Sequence, residues 1–263
     1  MSDDLTTPDP WQTLKTLTSA RIALGRVGTS LPTQEVLNFS VSHALARDAV
    51  HLPLDVSALD AAIRACGFAT LQVHSNAADR HQYLLRPDLG RRLNQSSRAQ
   101  LIASATDPVD FLLVVGDGLS ALAVQTQVPP LLAEIRKLLP PHWNLGRVVI
   151  ASQARVAIGD EIGELLKARL VAVLIGERPG LSSPDSLGIY LTFNPKIGCV
   201  DAERNCISNV RPAGLSYAKA AHTLIWLAKQ AIHLQLTGVG LKDESDLEWP
   251  GLSQNPVLPS PGH

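Results

Sequence analysis

Residues 174–190 read LIGERPGLSSPDSLGIY, and this stretch decides how the rest of the sequence is interpreted. It begins within an apolar, β-rich run, Leu170 to Ile175, which is typical of a buried strand. The run leads without a gap into Gly176-Glu177-Arg178-Pro179-Gly180, where glycine and proline restrict the shape of the loop. We therefore predict a strand that delivers a charged loop to one end of a sheet.

Two interpretations of this loop are open from its local sequence. Glu177 and Arg178 either face water on an ordinary surface turn or belong to a ligand site on a stiff support. Ser183 followed by Pro184 resembles a helix N-cap with proline at the first helical position, so we expect a short helical turn there.

The composition is that of a globular chain without a nucleic-acid or membrane partner. The 263 residues are 45% hydrophobic, which is enough for one large domain or two smaller ones. A formal net charge of -1 provides no basic field for nucleic acid or anionic lipid, and no apolar run approaches the roughly 20 residues that span a bilayer. Three cysteines without metal-type spacing and an acidic N-terminus indicate a cytoplasmic chain with reduced thiols.

The predicted fold class is α/β, with a mostly helical N-terminal domain followed by a doubly wound, Rossmann-like parallel-sheet C-terminal domain. Residues 1–105 carry apolar positions at helical spacing and are assigned to subunit contacts, with one short strand at Thr70 to Val73. Residues 106–245 alternate strands with helices, which implies a parallel sheet with right-handed crossovers. Residues 246–263 are rich in proline and predict a mobile tail.

Several local features complete this interpretation. We expect a helix after Pro129 and Pro130, helix N-caps at Asp88 and Asp160, and a loop over residues 201–209. The three arginines of RPDLGRRL (86–93) either form a solvated, salt-bridged face or contact an anionic ligand or a partner subunit. The further predicted strands are Phe111 to Val115, Arg147 to Ala151 and Ile189 to Phe193.

Loops that follow three predicted strands mark a ligand crevice, because ligands of open parallel sheets bind beyond the carboxyl ends of the strands. Asp117 beside Gly118 is equally a loop cap or a functional acid. Dinucleotide, Walker, nucleophile-elbow and HExxH signatures are all missing from the sequence, and the eight histidines lack ligand spacing. The sequence thus predicts a binding surface without reactive groups or a metal site of its own. The crevice is predicted to contain Asp117, Ser120, Val156, Glu177, Arg178 and Cys206.

Five blocks in fixed order carry a resemblance to a known family. They are RPDLGRRL (86–93), GDGLSA (116–121), ARVAIGDEIGELL (154–166), GERPGLSSPDSL (176–187) and DAERNCISNVRPAG (201–214). Together they resemble the small (light) subunit of ethanolamine ammonia-lyase, and the similarity extends from about residue 20 to residue 235.

The resemblance implies an adenosylcobalamin-dependent ammonia-lyase that converts ethanolamine to acetaldehyde and ammonia by radical rearrangement. It also implies a large subunit with a (β/α)8 barrel, against which the small subunit closes over the corrin from the lower-ligand side. Activity is expected only in that complex, a dodecamer of six large and six small chains. No D-x-H-x-x-G string occurs here, so base-on binding of the cofactor is implied.

The family's cobalamin contacts on the small subunit correspond to three positions of this sequence. They are Val156 in ARVAIGDEIGE, Glu177 in GERPG and Cys206 in RNCISN. Some members carry a longer N-terminal extension associated with packaging in a bacterial microcompartment, whereas little precedes Trp11 here. Cytoplasm is therefore the expected location, with a microcompartment as the alternative.

Two other hypotheses belong to different classes of protein. A stand-alone Rossmann-like module would bind a nucleotide without a partner, although the glycine fingerprint for that function is missing from the sequence. A purely structural subunit would brace an enzyme without contacting its cofactor, through RPDLGRRL and the apolar helices of the N-terminal half.

Overall fold

The computed structural model describes residues 6–18, 20–105 and 107–249. Within these residues the chain forms one six-stranded sheet with helices on both faces, so the predicted α/β class is confirmed. The strands are β1 (Thr70–His74), β2 (Val109–Gly116), β3 (Val148–Ser152), β4 (Ala168–Gly176), β5 (Leu187–Phe193) and β6 (Arg204–Val210). The helices are α1 (Thr33–His51), α2 (Val56–Ala65), α3 (Arg80–Leu85), α4 (Gln95–Ser104), α5 (Ala121–Leu138), α6 (Ile158–Leu165) and α7 (Tyr217–Leu234).

The sheet has the strand order β1-β3-β2-β4-β5-β6. The first four strands in this order are parallel, whereas β5 and β6 are antiparallel to their neighbours. The sheet also extends across the predicted boundary at residue 105, since β1 pairs with β3 along its whole length. A Rossmann-like parallel sheet thus continues into an antiparallel edge.

Alternation of side chains along the strands creates two apolar layers. Leu170, Ala172 and Leu174 of β4 pack with α2, α5 and α7 on the first face. Val171, Val173 and Ile175 pack with α4 and α6 on the second face. Strands buried on both faces need nearly continuous apolar sequence, which is why β2, β3 and β4 are visible in the sequence as uninterrupted runs.

Helix α5 differs from the expectation that a helix follows Pro129 and Pro130. It begins at Ala121, where Ser120 Oγ accepts from the Ala123 N–H at 3.2 Å, and it passes through both prolines. A proline inside a helix costs about 3 kcal/mol because it removes a backbone donor and crowds the preceding turn. Burial of the apolar face that includes Val124, Val128 and Leu131 offsets this cost.

Two further expectations about local structure were wrong. Residues 201–209 do not form a loop; they form a 3-10 turn at Asp201–Glu203 followed by the edge strand β6. No helix follows Ser183, where the chain makes only an isolated turn at residues 184–185; before it, Gly180 and Ser183 exchange two backbone hydrogen bonds of 3.1 and 3.3 Å and close a tight turn.

The tail predicted over residues 246–263 lies mainly outside the described residues, from position 250 onward. Before that point, Ser245–Glu248 forms a 3-10 turn and the Trp249 ring packs edge-on against His222, 4.9 Å between centroids. In the described ranges no helix has the length and apolar character to cross a membrane.

Candidate functional site

Glu177 is held rigidly at the carboxyl end of β4. Its backbone N–H donates to Ser186 O at 3.0 Å. Its Oε2 accepts from the Ser186 hydroxyl and, at 3.3 Å, from the Asn209 N–H. No donor among the described residues hydrogen-bonds Oε1. The carboxylate is thus fixed by one oxygen, and the other has no hydrogen-bond donor within the described chain.

Gly188 of β5 makes room for this carboxylate. A Cβ at position 188 would lie 3.0 Å from Glu177 Oε1, 3.2 Å from Glu177 Cγ and 3.2 Å from the Tyr190 ring. Any larger residue would therefore press on the Glu177 side chain. An isolated glycine within a strand often marks a close approach of this kind, so this signal was available in the sequence.

Cys206 lies on β6 rather than on a loop, and it is exposed. In the sheet it pairs with Tyr190, which pairs in turn with Val173 on β4. Although the residue is exposed, neighbouring side chains partly desolvate the Cys206 thiol and raise its pKa, the hydrogen-bonded Tyr190 phenol lowers that pKa, and the negative charge of Glu177 raises it. The net result is a raised pKa, so the thiol is protonated at neutral pH.

Val156 lies in the loop between β3 and α6, on the same face of the sheet. It is partly buried against the apolar layer that also contains Val173 and Tyr190. It lines a cavity of about 370 Å³ together with Arg91, Arg155 and Arg204. Arg204 precedes Cys206 by two residues on β6. The cavity therefore lies next to the part of the sheet that carries Tyr190 and Cys206.

The structure therefore places the three predicted cofactor-binding residues on the second face of one sheet. The other crevice residues have different surroundings. Asp117 is buried and accepts from the Gln153 and Ala154 N–H groups at 2.9 and 2.8 Å, which joins the loops after β2 and β3. Ser120 caps α5 and donates to Pro184 O at 2.8 Å. Both side chains are occupied by structural contacts.

Arg178 is exposed and forms no ion pair or side-chain hydrogen bond within the described part of the chain. The loop that carries it is positioned instead by a close approach of two glycines. A Cβ at Gly176 would lie 2.1 Å from Ser120 O, and a Cβ at Gly118 would lie 2.2 Å from Gly176 O. Gly118 also has φ +56°, a conformation that favours glycine.

Asp88 takes the predicted N-cap position, before the 3-10 turn Leu89–Arg91, but its carboxylate does not cap the turn, and the predicted cap at Asp160 was wrong. Asp88 forms a two-pronged ion pair with Arg86, with hydrogen bonds of 2.8 and 2.9 Å, and makes no cap hydrogen bond. Asp160 lies inside the first turn of α6, where its carboxylate meets Arg204 at 2.6 and 2.7 Å. In each case a neighbouring arginine competes for the carboxylate more strongly than free backbone N–H groups do.

The arginines of RPDLGRRL divide between the two interpretations. Arg86 pairs with Asp88, and Arg92 lies 3.2 Å from the buried carboxylate of Glu161. Arg91 has no carboxylate partner among the described residues and lines the cavity beside Val156. In the same described ranges, no group of three or more acidic, histidine or cysteine side chains is arranged to hold a metal ion.

Comparison with known proteins identifies the family. The model of the ethanolamine ammonia-lyase light chain (EutC) matches residues 8–242. The small subunit of ethanolamine ammonia-lyase from Pseudomonas aeruginosa is 54% identical over 249 residues, which cover 93% of this chain and 91% of the relative. The small subunit from Ralstonia nicotianae is 55% identical over 246 residues, with 92% and 91% covered. The chain therefore belongs to the ethanolamine ammonia-lyase light-chain family.

Proposed function

We propose that this chain is the small subunit of an ethanolamine ammonia-lyase and that, with a large barrel subunit, it binds adenosylcobalamin in the base-on form. Membership of the family supports this, since the name small subunit implies a large partner. The observation that carries it is that Val156, Glu177 and Cys206 lie on one face of the sheet around Tyr190. When bound, adenosylcobalamin would supply the radical chemistry that converts ethanolamine to acetaldehyde and ammonia.

The polar atoms at this face fit the periphery of a cobalamin, which carries amides, hydroxyls and one phosphodiester. Glu177 Oε1 is free to accept from an amide or a hydroxyl. Arg155 Nε and Arg204 Nε are buried donors without a hydrogen-bond acceptor in the described structure. Because unsatisfied buried donors are costly, a ligand with acceptor atoms would stabilise them.

The residues of this chain bind and orient, and none of them is proposed to transfer a proton. Val156 offers apolar or backbone contact and excludes water from one side of the cofactor. Glu177 fixes orientation through its free oxygen. Cys206 presents a small, polarizable and protonated side chain. Catalytic residues are accordingly expected on the large subunit.

The size of the cavity supports a shared site. A volume of about 370 Å³ is near the lower end of the ~300–1,000 Å³ range of small-molecule sites, so it holds only a part of a corrinoid. The remainder must lie against another surface, which we assign to the large subunit in a complex of six large and six small chains. We propose the cytoplasm as the location, with a microcompartment as the alternative.

The proposal is tested by combining the chain with its large subunit and adenosylcobalamin. We expect the complex to deaminate ethanolamine and the isolated chain to be inactive. Glu177→Ala is expected to weaken cofactor retention by about 10- to 100-fold, as for the loss of a hydrogen bond to a charged group, while assembly is unchanged. Dialysis of the assembled complex against cofactor measures the retention.

Glu134→Ala provides a matched control, because Glu134 is on α5, on the opposite face of the sheet, and pairs only with Lys137 in the described structure. Equal retention by the Glu177 and Glu134 variants would remove Glu177 from the site. Tight binding of a nucleotide by the isolated chain, without cobalamin binding by the complex, would favour the stand-alone nucleotide module.

A further inference from the structure

The cavity beside Val156 is built as a site for a negatively charged group. It lies between the RPDLGRRL segment, the loop before α6 and the start of β6. Arg91, Arg155 and Arg204 line it, whereas Asp201 is the one acidic residue on its wall. The Asp201 side chain is fully exposed, at 103% of its reference area, so water screens its charge.

Arg204 supplies a buried donor that has no acceptor. Its side chain is 2% exposed, and its two terminal nitrogens bind Asp160 at 2.6 and 2.7 Å. Nε makes no hydrogen bond within the described residues. It lies 3.6 Å from Asp201 Oδ1, on the side of the cavity. The guanidinium is thus held in place by one carboxylate and has one N–H left for a ligand.

Arg155 supplies a second buried donor without an acceptor to the same cavity. Its guanidinium packs over the Tyr83 ring, 4.2 Å from the centroid, and Nη2 is 3.4 Å from Tyr83 O. Its buried Nε has no acceptor, and no carboxylate pairs with it in the part of the chain that the structure describes. Stacking on tyrosine fixes the plane of the guanidinium without neutralising its charge.

Backbone N–H groups add further positive potential to the cavity. Val156 and Ala157 line the cavity, and their N–H groups have no acceptor among the described residues. Ala157 is the N-cap of α6 and provides no side-chain cap. The positive end of the α6 dipole therefore faces the same space as the arginines.

We propose that this cavity binds a phosphate-type oxyanion, namely the phosphodiester in the nucleotide loop of cobalamin. This rests on the proposed function for the identity of the ligand, whereas the oxyanion chemistry rests on the cavity alone. Base-on cobalamin carries this phosphodiester on its lower side, the side assigned to this chain. Free inorganic phosphate has the same chemistry and is the other source of such a ligand.

The isolated chain tests the oxyanion chemistry by titration with dimethyl phosphate and with inorganic phosphate, followed calorimetrically at low salt. Arg155→Gln and Arg91→Gln are each expected to weaken binding by about tenfold or more. Arg64→Gln on α2 is the matched control, because Arg64 is exposed and lies across the sheet. Arg91 makes no described side-chain hydrogen bond, so its variant also controls for misfolding of the Arg155 variant.

Experiments on the complex with the large subunit distinguish the two sources of the oxyanion, the cobalamin phosphodiester and free phosphate. We expect Arg155→Gln and Arg91→Gln to weaken adenosylcobalamin binding by about tenfold and to leave the binding of adenosylcobinamide, which lacks the nucleotide loop and its phosphate, unchanged. Equal loss for both corrinoids, loss for neither, or loss of subunit assembly would overturn the assignment to the phosphodiester.

Phosphate titration of the isolated chain and corrinoid binding by the complex together separate this inference from the proposed function. If the wild-type complex binds no corrinoid but the isolated chain binds phosphate through Arg91 and Arg155, the proposed function fails and the cavity is a free-phosphate site. If the complex binds cobalamin and neither arginine changes phosphate or corrinoid binding, the inference fails and the proposed function stands.

Discussion

At the level of single residues, the site combines a fixed carboxylate with a thiol that is kept protonated. Glu177 is held by Ser186 and Asn209, and its negative charge adds to the main effect of desolvation in raising the pKa of the Cys206 thiol. A neutral Cys206 suits the proposed contact with uncharged amide and hydroxyl groups of a large ligand, because a thiolate there would need desolvation.

This coupling predicts the pH dependence of Cys206 alkylation. The thiolate is the reactive form, and the folded pKa lies above the ordinary value of 9.0, so the alkylation rate should still be rising at that pH and level off only above it. Glu177→Gln removes a negative charge, which favours the thiolate, so the rate profile should shift to lower pH. Alkylation by iodoacetamide, followed by peptide mass spectrometry between pH 7 and pH 10, measures both profiles.

Cys66 serves as an internal control in the same samples, because its thiol faces Pro129 O on the other side of the sheet. An unshifted Cys206 profile in the Glu177 variant would show that the two groups do not interact. Adenosylcobalamin added to the complex should slow alkylation of Cys206 and leave that of Cys66 unchanged.

Residue-level prediction succeeded where the pattern is local and failed where partners are distant. Gly176 and Glu177 follow an apolar run, so their position at a strand end was readable from the sequence. Asp160 was interpreted as a cap because its partner, Arg204, is 44 residues away in sequence. The placement of Arg155 against Tyr83 depends likewise on a contact between residues 72 apart.

At the level of elements, the Asp160–Arg204 pair joins α6 to the edge strand β6. The two side chains are 3% and 2% exposed, and Arg204 also donates to Thr192 and to Cys199 O. The α6 side and the β6 side of the cavity beside Val156 are therefore joined by one buried ion pair. Such a pair need not add net stability, but the loss of one partner leaves a buried charge unpaired.

Asp160→Asn is accordingly expected to lower the free energy of unfolding by about 3–5 kcal/mol. Asp48→Asn is the matched control, because Asp48 and Arg47 are 69% and 66% exposed and such pairs contribute about 0–1 kcal/mol. Urea unfolding of both variants gives the two differences. Similar midpoints for the two variants would mean that Arg204 reaches water or another acceptor when Asp160 is neutral.

The antiparallel edge of the sheet was missed for a related reason. The apolar runs predicted β5 as well as β2, β3 and β4. Whether a strand runs parallel or antiparallel to its neighbour, however, depends on the length of the segment that connects the two strands. Only residues 177–186 join β4 to β5, fewer than the dozen or more that a parallel crossover needs, so loop length was the available signal. Strand β6, RNCISNV, is polar at four of seven positions, as edge strands often are, and was interpreted as a loop.

At the level of the whole molecule, the sheet is covered by helices, whereas α1 leaves an apolar stripe exposed in the described chain. Only Ala49 of its nineteen residues is buried. Leu37, Val41 and Leu45 recur every four residues on one stripe and are 55%, 60% and 56% exposed. Arg80 Nε holds the end of the helix through Val50 O at 2.7 Å. An apolar stripe of this kind is typical of a surface that another protein covers.

We therefore expect α1 to be buried against the large subunit. Val41→Glu places a charge on the stripe and should prevent or weaken assembly by at least tenfold, because an unpaired charge is costly in an interface. The stability of the isolated chain should change by less than about 0.5 kcal/mol, since Val41 is already exposed. Val239→Glu, at an 85% exposed position on the 3-10 turn Gly238–Gly240, is the matched control and should assemble normally.

Native mass measurement of the co-expressed complexes distinguishes the outcomes. Wild type and Val239→Glu should give twelve chains, six of each kind, whereas Val41→Glu should give free small subunit. A complex of one large and one small chain would contradict the stoichiometry but not the interface. Normal assembly of Val41→Glu would assign α1 to a surface outside the subunit contacts and leave the RPDLGRRL segment and the other N-terminal helices as sequence-predicted interfaces.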